Sequence, residues 1–81
     1  MDAVVSMVNS GKRLAAVKTD GEYTIFKIMG VFNAEIGDII RHHDFTKMGM
    51  QLYENLSKKQ VISVRVENVC RTFEQARNFL N

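Results

Sequence analysis

Short stretches of alternating apolar and polar residues, separated by turn-forming residues, constrain the fold of this 81-residue chain more than any other feature. Successive side chains of a β-strand point to opposite faces, so a period of two is typical of strands. The alternating stretches are Ala3 to Val8, Leu14 to Lys18, Tyr23 to Met29, Met48 to Glu54 and Val61 to Glu67. A further extended segment is expected over Gly37-Asp38-Ile39-Ile40-Arg41, which gives five or six strands in all.

Reversals are expected where Asn, Asp, Ser and Gly cluster between these stretches. Asn9-Ser10-Gly11-Lys12 ends the first stretch, and Asn55-Leu56-Ser57-Lys58-Lys59-Gln60 lies between the last two. Thr19-Asp20-Gly21-Glu22 contains the strongest hairpin signal in the chain, because Asp and Gly both tolerate the positive φ of a type I′ turn. The sequence therefore predicts consecutive hairpins.

The third stretch carries large apolar residues on both faces, with Ile25 on one and Phe26 on the other, so we expect a central strand. Gly30 breaks it. The following connection, Val31 to Gly37, is expected to insert some of its apolar side chains into the core. These are Val31, Phe32 and Ile36.

The pattern changes to a helical one after Cys70-Arg71. Thr72 can cap a helix, and Gln75, three residues later, completes a capping box. So short a helix needs to pack against the rest of the chain. The expected docking surface consists of Phe73, Phe79 and Leu80.

These elements predict a single domain over residues 1–81, mainly β, in which a small curved sheet or barrel of five to six antiparallel strands is plugged at one end by a C-terminal α-helix over about 72–80. The strand pattern of residues 3–67, with its hairpins and its Gly37-Asp38-Ile39-Ile40 element, resembles the small β-barrels of the OB-fold and SH3-like kind. Such barrels use one sheet face and the bordering loops to bind ligands. The resemblance implies a binding module.

Length and composition limit the chemistry that we expect. At 81 residues the gain from apolar burial only just exceeds the conformational entropy cost, so the chain has no interior to spare for a desolvated active site. Cys70 is the only cysteine, which excludes an intramolecular disulfide. The beginning of the chain does not resemble a signal peptide, and no apolar run is long enough to span a membrane. We therefore expect a cytoplasmic protein that is not an enzyme and has no membrane partner.

Two side-chain groups could carry chemistry, but the simpler explanation is favoured for each. His42-His43-Asp44 contains metal-ligand residue types, yet adjacent side chains of a strand point to opposite faces. Cys70 precedes a helix N-terminus, where a thiol pKa can be depressed, but a buried small hydrophobic residue is the commoner case. We expect no catalytic residue, no metal and no cofactor.

Charge favours polyanions only weakly. The net charge is +2, and residues 41–81 hold seven basic residues against four acidic ones. A basic groove with exposed aromatic rings would bind single-stranded nucleic acid without strong sequence preference. The same basic residues also serve solubility and guard strand edges. The candidate nucleic-acid-binding residues are Arg41, His42, His43, Lys47, Tyr53, Lys58 and Lys59.

The alternative function is a protein-interaction or homodimerising module. Val61 to Glu67 has the cleanest alternation, with Ile62, Val64 and Val66 facing inward. If it were an edge strand, it could pair with a peptide or with a second copy of the chain. The five methionines, among them Met48 and Met50, suit an adaptable apolar contact. By a small margin the sequence favours weak, sequence-tolerant binding of single-stranded nucleic acid over this alternative.

Overall fold

A computed structural model describes all residues from Met1 to Asn81. It contains six β-strands, one α-helix and a 3-10 turn over Ser10–Lys12. The strands are β1 (Asp2–Asn9), β2 (Leu14–Lys18), β3 (Tyr23–Ile28), β4 (Ile39–Arg41), β5 (Gly49–Asn55) and β6 (Gln60–Cys70), and the helix is α1 (Phe73–Leu80).

The strands form a closed antiparallel barrel in the order β1-β2-β3-β6-β5-β4, with β4 paired back to β1. The predicted fold class is confirmed. β3 lies between β2 and β6, as expected for a strand with apolar residues on both faces. The chain crosses from β3 to β4 through residues 29–38. β4 itself has only three residues, and it pairs with β5 at only two positions. We call the boundary between β4 and β5 the seam of the barrel.

The barrel interior holds one apolar cluster. Strands alternate, so each contributes every second residue to this cluster. Phe26 and Tyr53 are its largest fully buried side chains, and their rings meet edge to face with centroids 5.0 Å apart. The predicted inward residues of β6 are all in it. The buried members are Ala3, Val5, Ala15, Val17, Phe26, Ile28, Ala34, Ile40, Phe45, Tyr53, Ile62, Val64 and Val66.

A second apolar cluster lies on the outside of the barrel, beneath α1. Its members are the other-face residues of β2, β3 and β6 together with Ala76 and Leu80 of the helix, so α1 covers the wall of the barrel. The expectation that the helix plugs one end is wrong, because the alternate residues of these strands form a second apolar face. The cluster contains Leu14, Ala16, Ile25, Cys70, Ala76 and Leu80.

The helix is capped as predicted, and of its three expected docking residues only Leu80 is buried against the barrel. The Gln75 amide donates to the Thr72 hydroxyl at 3.1 Å, and the Gln75 side chain completes the capping box. Phe73 and Phe79, expected to dock, are about half exposed, whereas Ala76 is fully buried. The small Ala76 brings the helix backbone close to the sheet, and this leaves the two larger rings at the margins of the contact.

Two bulges allow single strands to serve both clusters. In β3–β6 the register shifts so that Phe26 pairs with Val66 and Ile25 pairs with Asn68, which leaves Glu67 as the extra residue. The alternation therefore changes phase after Val66. The predicted strand ended at Glu67 for this reason, although β6 continues to Cys70. A similar shift between Val5 and Met7 turns Met7 towards the helix.

Two local expectations are corrected by the structure. Val31 and Ile36 do not enter the core, since they are 84% and 66% exposed. In that connection Ala34 is buried and Phe32 is partly buried, and a glycine with positive φ lies near each end of it, Gly30 and Gly37. The second hairpin forms as predicted, but only Gly21 has a positive φ, so the turn is not type I′.

Candidate functional site

The predicted nucleic-acid-binding residues do not form one surface. Lys47 lies before the start of β5, while Lys58 and Lys59 lie in the hairpin that follows its end. The seven residues of β5 extend about 20 Å. The lysines are therefore divided between the two ends of a strand, and of the seven predicted residues only His42 and His43 line the groove of about 400 Å³ beside β5.

Two of the predicted cations are already paired within the chain. Arg41 donates to both carboxylate oxygens of Asp2, at 2.8 and 3.2 Å. Lys58 donates to Glu35 at 2.8 Å and lies 3.5 Å from Asp38. Phosphate would have to compete with these carboxylates. Lys47 and Lys59 form no ion pair and are exposed.

Tyr53 was expected to be an exposed aromatic residue, and that expectation is wrong. It is fully buried, with Phe26, Phe45 and His42 around its ring. Its hydroxyl has no hydrogen-bond partner, and burial raises the pKa of the phenol, with a smaller contribution from the charge of Asp44. A base cannot stack on this ring without opening the barrel.

The segment after β4 turns into the barrel and is held there by hydrogen bonds. Phe45 is buried, and its carbonyl oxygen accepts from the Thr24 hydroxyl at 2.9 Å. Asp44 accepts from the amide and hydroxyl of Thr46 at 2.9 and 2.6 Å, which forms a tight Asx turn. These bonds also lower the pKa of Asp44. The segment is therefore fixed in place.

The two histidines lie side by side at the start of this segment. His42 is buried while His43 is exposed, and their ring centroids are 4.4 Å apart. The sequence argument placed them on opposite faces of a strand, but both follow the end of β4 at Arg41. No group of three or more His, Cys, Asp or Glu side chains is arranged to hold a metal ion.

Because the chain turns inward after Arg41, β4 pairs with β5 at only two positions, Ile40 with Asn55 and Arg41 with Glu54. The paired positions form the closed end of the seam. There Asp38 accepts hydrogen bonds from the Asn55 side chain and from the Glu35 amide, both at 3.0 Å, and these contacts hold the closed end in place. The rest of β5, from Gly49 to Tyr53, has no strand on that side.

The free side of β5 presents unpaired backbone groups. In antiparallel strands, alternate residues bond to opposite neighbours. The Ser63 carbonyl of β6 accepts from the Met29 amide at 2.9 Å, so the backbone groups of Ser63 point away from β5. Those of Ile62 and Val64 therefore point towards β5, where their partners are Tyr53 and Gln51. The alternate residues of β5, Met50 and Leu52, direct their N–H and C=O groups towards the open side of the seam, where nothing in the chain bonds to them.

Exposed apolar side chains accompany this edge. Met50 and Leu52 are 58% and 67% exposed on the outer face of β5, and Val61 of the adjacent β6 is 66% exposed. A groove of about 400 Å³ runs between the histidines and β5. It is lined by His42, His43, Met50, Gln51, Leu52 and Ser63.

The open edge is on a different strand from the one that the sequence favoured. β6 pairs with β5 along Gln60 to Val66 and with β3 along Val64 to Cys70, so Val61 to Glu67 is not an edge strand. The signal for β5 was its apolar outer face, seen in Met50 and Leu52. Its significance depends on β4 pairing with β5 at only two positions, which no local pattern indicates.

Cys70 is buried in the cluster beneath α1, and desolvation raises the pKa of its thiol. The interpretation as a buried small hydrophobic residue is confirmed, and the depressed pKa considered for a thiol before a helix is not found.

The fold and its seam define a small six-stranded β-barrel with one partly open strand edge. No protein-family model, curated protein or solved structure matches the chain. The structure contains no helix with the length and apolar character required to cross a membrane.

Proposed function

We propose that this chain is a non-enzymatic protein-interaction module that binds an extended strand along the open edge of β5. The observation that carries the proposal is the set of unpaired backbone groups at Met50 and Leu52, beside the exposed side chains of the same two residues. An added strand would bond to these groups and cover these side chains. Main-chain bonds of this kind supply affinity, and the flanking side chains supply specificity.

The arrangement of the site supports this function because little has to be ordered on binding. β5 is bonded to β6 along its whole length, and the opposite wall is fixed by Phe45 and Asp44. A rigid edge loses less conformational entropy when a partner strand arrives. The exposed His43 on that wall can contact side chains of the bound strand.

Nucleic-acid binding receives less support from the same geometry. Its expected aromatic residue, Tyr53, is buried, and two of its expected cations are engaged with carboxylates. The unpaired Lys47 and Lys59 lie near opposite ends of β5. We therefore treat it as the competing outcome of the experiment.

The test is an amide NMR titration of the isotopically labelled chain with two probes, an eight-residue peptide of alternating Val and Thr and an oligo-dT of the same length. The proposal expects peptide-induced shifts at Met50 and Leu52 that persist when salt is raised. Shifts confined to Lys47, Lys58 and Lys59, caused by oligo-dT and reduced steeply by salt, would support nucleic-acid binding instead.

Two variants provide a matched control. Leu52→Asp and Ile36→Asp each place a charge at a residue that is about two-thirds exposed, so both are expected to fold. Leu52→Asp puts a carboxylate on the open edge, and inward or edge charges oppose strand pairing. It should abolish the peptide shifts, while Ile36→Asp, outside the groove, should keep them. Equal loss in both variants would contradict the assigned site.

A further inference from the structure

We propose that the strand accepted by β5 is the β5 of a second copy of this chain, paired antiparallel about a two-fold axis at Gln51. This inference rests on the proposed function and specifies its partner. Three properties of the edge carry it: the register of the free backbone groups, the side chains beside them and the charges at the two ends of the strand.

The free backbone groups are self-complementary. A two-fold axis at Gln51 places Met50 opposite Leu52 of the partner subunit, and Leu52 opposite Met50 of the partner subunit. Both residues direct N–H and C=O to the open side, so each opposed pair forms the two-bond type of antiparallel pair. The contact is isologous and closes on itself, which is the commonest arrangement in homo-oligomers. An axis at Leu52 would instead oppose Met50 to Glu54, which already pairs with Arg41 of β4.

The same register brings apolar side chains together. Met50 and Leu52 point to the outer face, more than half exposed. In the dimer, each would lie beside the other residue type of the partner, since directly opposed side chains are close neighbours on one face. A methionine on each side can adjust to the shape of the facing leucine.

The charges at the ends of β5 are complementary in an antiparallel pair. Lys47 precedes the strand, and Glu54 lies near its end, opposite Arg41 of β4, which forms its salt bridge with Asp2. Lys47 and Glu54 are both exposed, and neither forms a salt bridge within the chain. Antiparallel pairing brings the beginning of one β5 to the end of the other. With the axis at Gln51, Lys47 comes level with Asn55 of the partner subunit, one residue from Glu54 of the partner subunit, and the symmetry provides this approach twice.

The expected dimer is weak because the contact involves a short strand segment. Small interfaces of this kind are typical of transient association, and we expect a Kd on the order of 100 μM. Sedimentation velocity and equilibrium measurements from about 10 μM to about 1 mM cover the transition. The mass of the wild-type chain should rise over this range from one copy to two.

Charge exchange tests the register. Lys47→Glu places two glutamates together at each end of the pair, and Glu54→Lys places two lysines there. Each single variant should weaken the dimer roughly tenfold, and the double variant should restore it to within about threefold of the wild type. Leu52→Asp should remove the dimer, and Ile36→Asp should leave it unchanged.

A mass of one copy throughout the concentration range would overturn the inference, as would a dimer that Leu52→Asp does not affect. A second probe then separates this failure from that of the proposed function. A peptide with the sequence of residues 48–55 is titrated into the labelled monomer. Shifts at the Met50 and Leu52 amides would preserve strand addition without self-association, and no binding of this or the Val/Thr peptide would end both proposals.

Discussion

The wall of the barrel beneath α1 and the seam between β4 and β5 solve the same structural problem differently. In the wall, Ile25 faces outward from β3 and is fully buried because the helix covers it. In the seam, Leu52 faces outward from β5 and is 67% exposed. β3 has strands bonded along both sides, whereas much of β5 has one on only one side.

The difference shows how a very small domain distributes its apolar surface. Eight helical residues cover one outer face, and the chain has no second helix for the other. Short apolar patches next to a free strand edge are features that proteins usually guard against or use for association. The proposed function divides the two regions: the wall supplies stability and the seam binds a partner. The following predictions test this division.

The largest expected effect is at the wall. Ile25→Ala removes a buried side chain between the barrel and α1, and we expect the free energy of unfolding to fall by about 3 kcal/mol. Leu52→Ala, at the equivalent outward position of the seam, should change it by less than about 0.5 kcal/mol. Urea denaturation at a dilution where the chain is monomeric measures both. Similar losses in the two variants would remove the distinction between wall and seam.

The next effect concerns the closed end of the seam. Asp38→Ala leaves the fully buried Asn55 side chain without its acceptor, and we expect a loss of about 2 kcal/mol in the free energy of unfolding. Asp2→Ala is the control, because it removes an exposed carboxylate from Arg41, and its unfolding midpoint should stay close to that of the wild type. Equal shifts of the two midpoints would show that the Asp38 contacts do not fix the seam.

A smaller effect of opposite sign is expected at Tyr53. Its buried hydroxyl has no partner, so the phenol loses its hydration without gaining a hydrogen bond. Tyr53→Phe keeps the ring contacts with Phe26 and Phe45 and should raise the free energy of unfolding by about 1 kcal/mol. Denaturant unfolding tests the sign, and a lower stability would mean that the hydroxyl makes a favourable interaction.

The smallest effect is expected from pH. Burial by itself raises the pKa of Asp38, but hydrogen bonds from Asn55 and the Glu35 amide, together with the charge of Lys58, lower it below its ordinary value of 3.8. The carboxylate therefore stabilises the fold above pH 3.8, and this contribution is lost as pH falls through the lower, folded-state pKa. Acid unfolding measured by circular dichroism should show a smaller decrease for Asp38→Asn than for the wild type. An identical decrease would assign the acid sensitivity to other carboxylates.

Much of the fold could be predicted from the sequence because its signals are local. Alternation gave the inward positions Ile62, Val64 and Val66, and the Thr72 and Gln75 spacing gave the start of α1, all of which are confirmed. The candidate site could not be predicted in the same way. The sequence placed Met50 in a strand and predicted an extended segment that ends at Arg41, but it gave no sign that these two strands are neighbours.

Non-local pairing also explains the errors. Tyr53 and Leu52 are adjacent in one strand, and only the closure of the barrel decides that one is sealed inside and the other is outside. Adjacent residues of β3 face different clusters, Phe26 the barrel interior and Ile25 the helix. The extra residue Glu67 shifts the alternation of β6 so that Val66 pairs with Phe26 and Asn68 pairs with Ile25.

Local sequence signals specify where the chain extends, where it turns and where the helix begins, because these depend on side-chain period, glycine φ and capping over a few residues. Which outer face receives α1 and which strand keeps a free edge are settled only when the barrel closes. Those outcomes depend on how far each strand finds a partner distant in the sequence. β4 stops after three residues because His42 and Phe45 turn into the barrel.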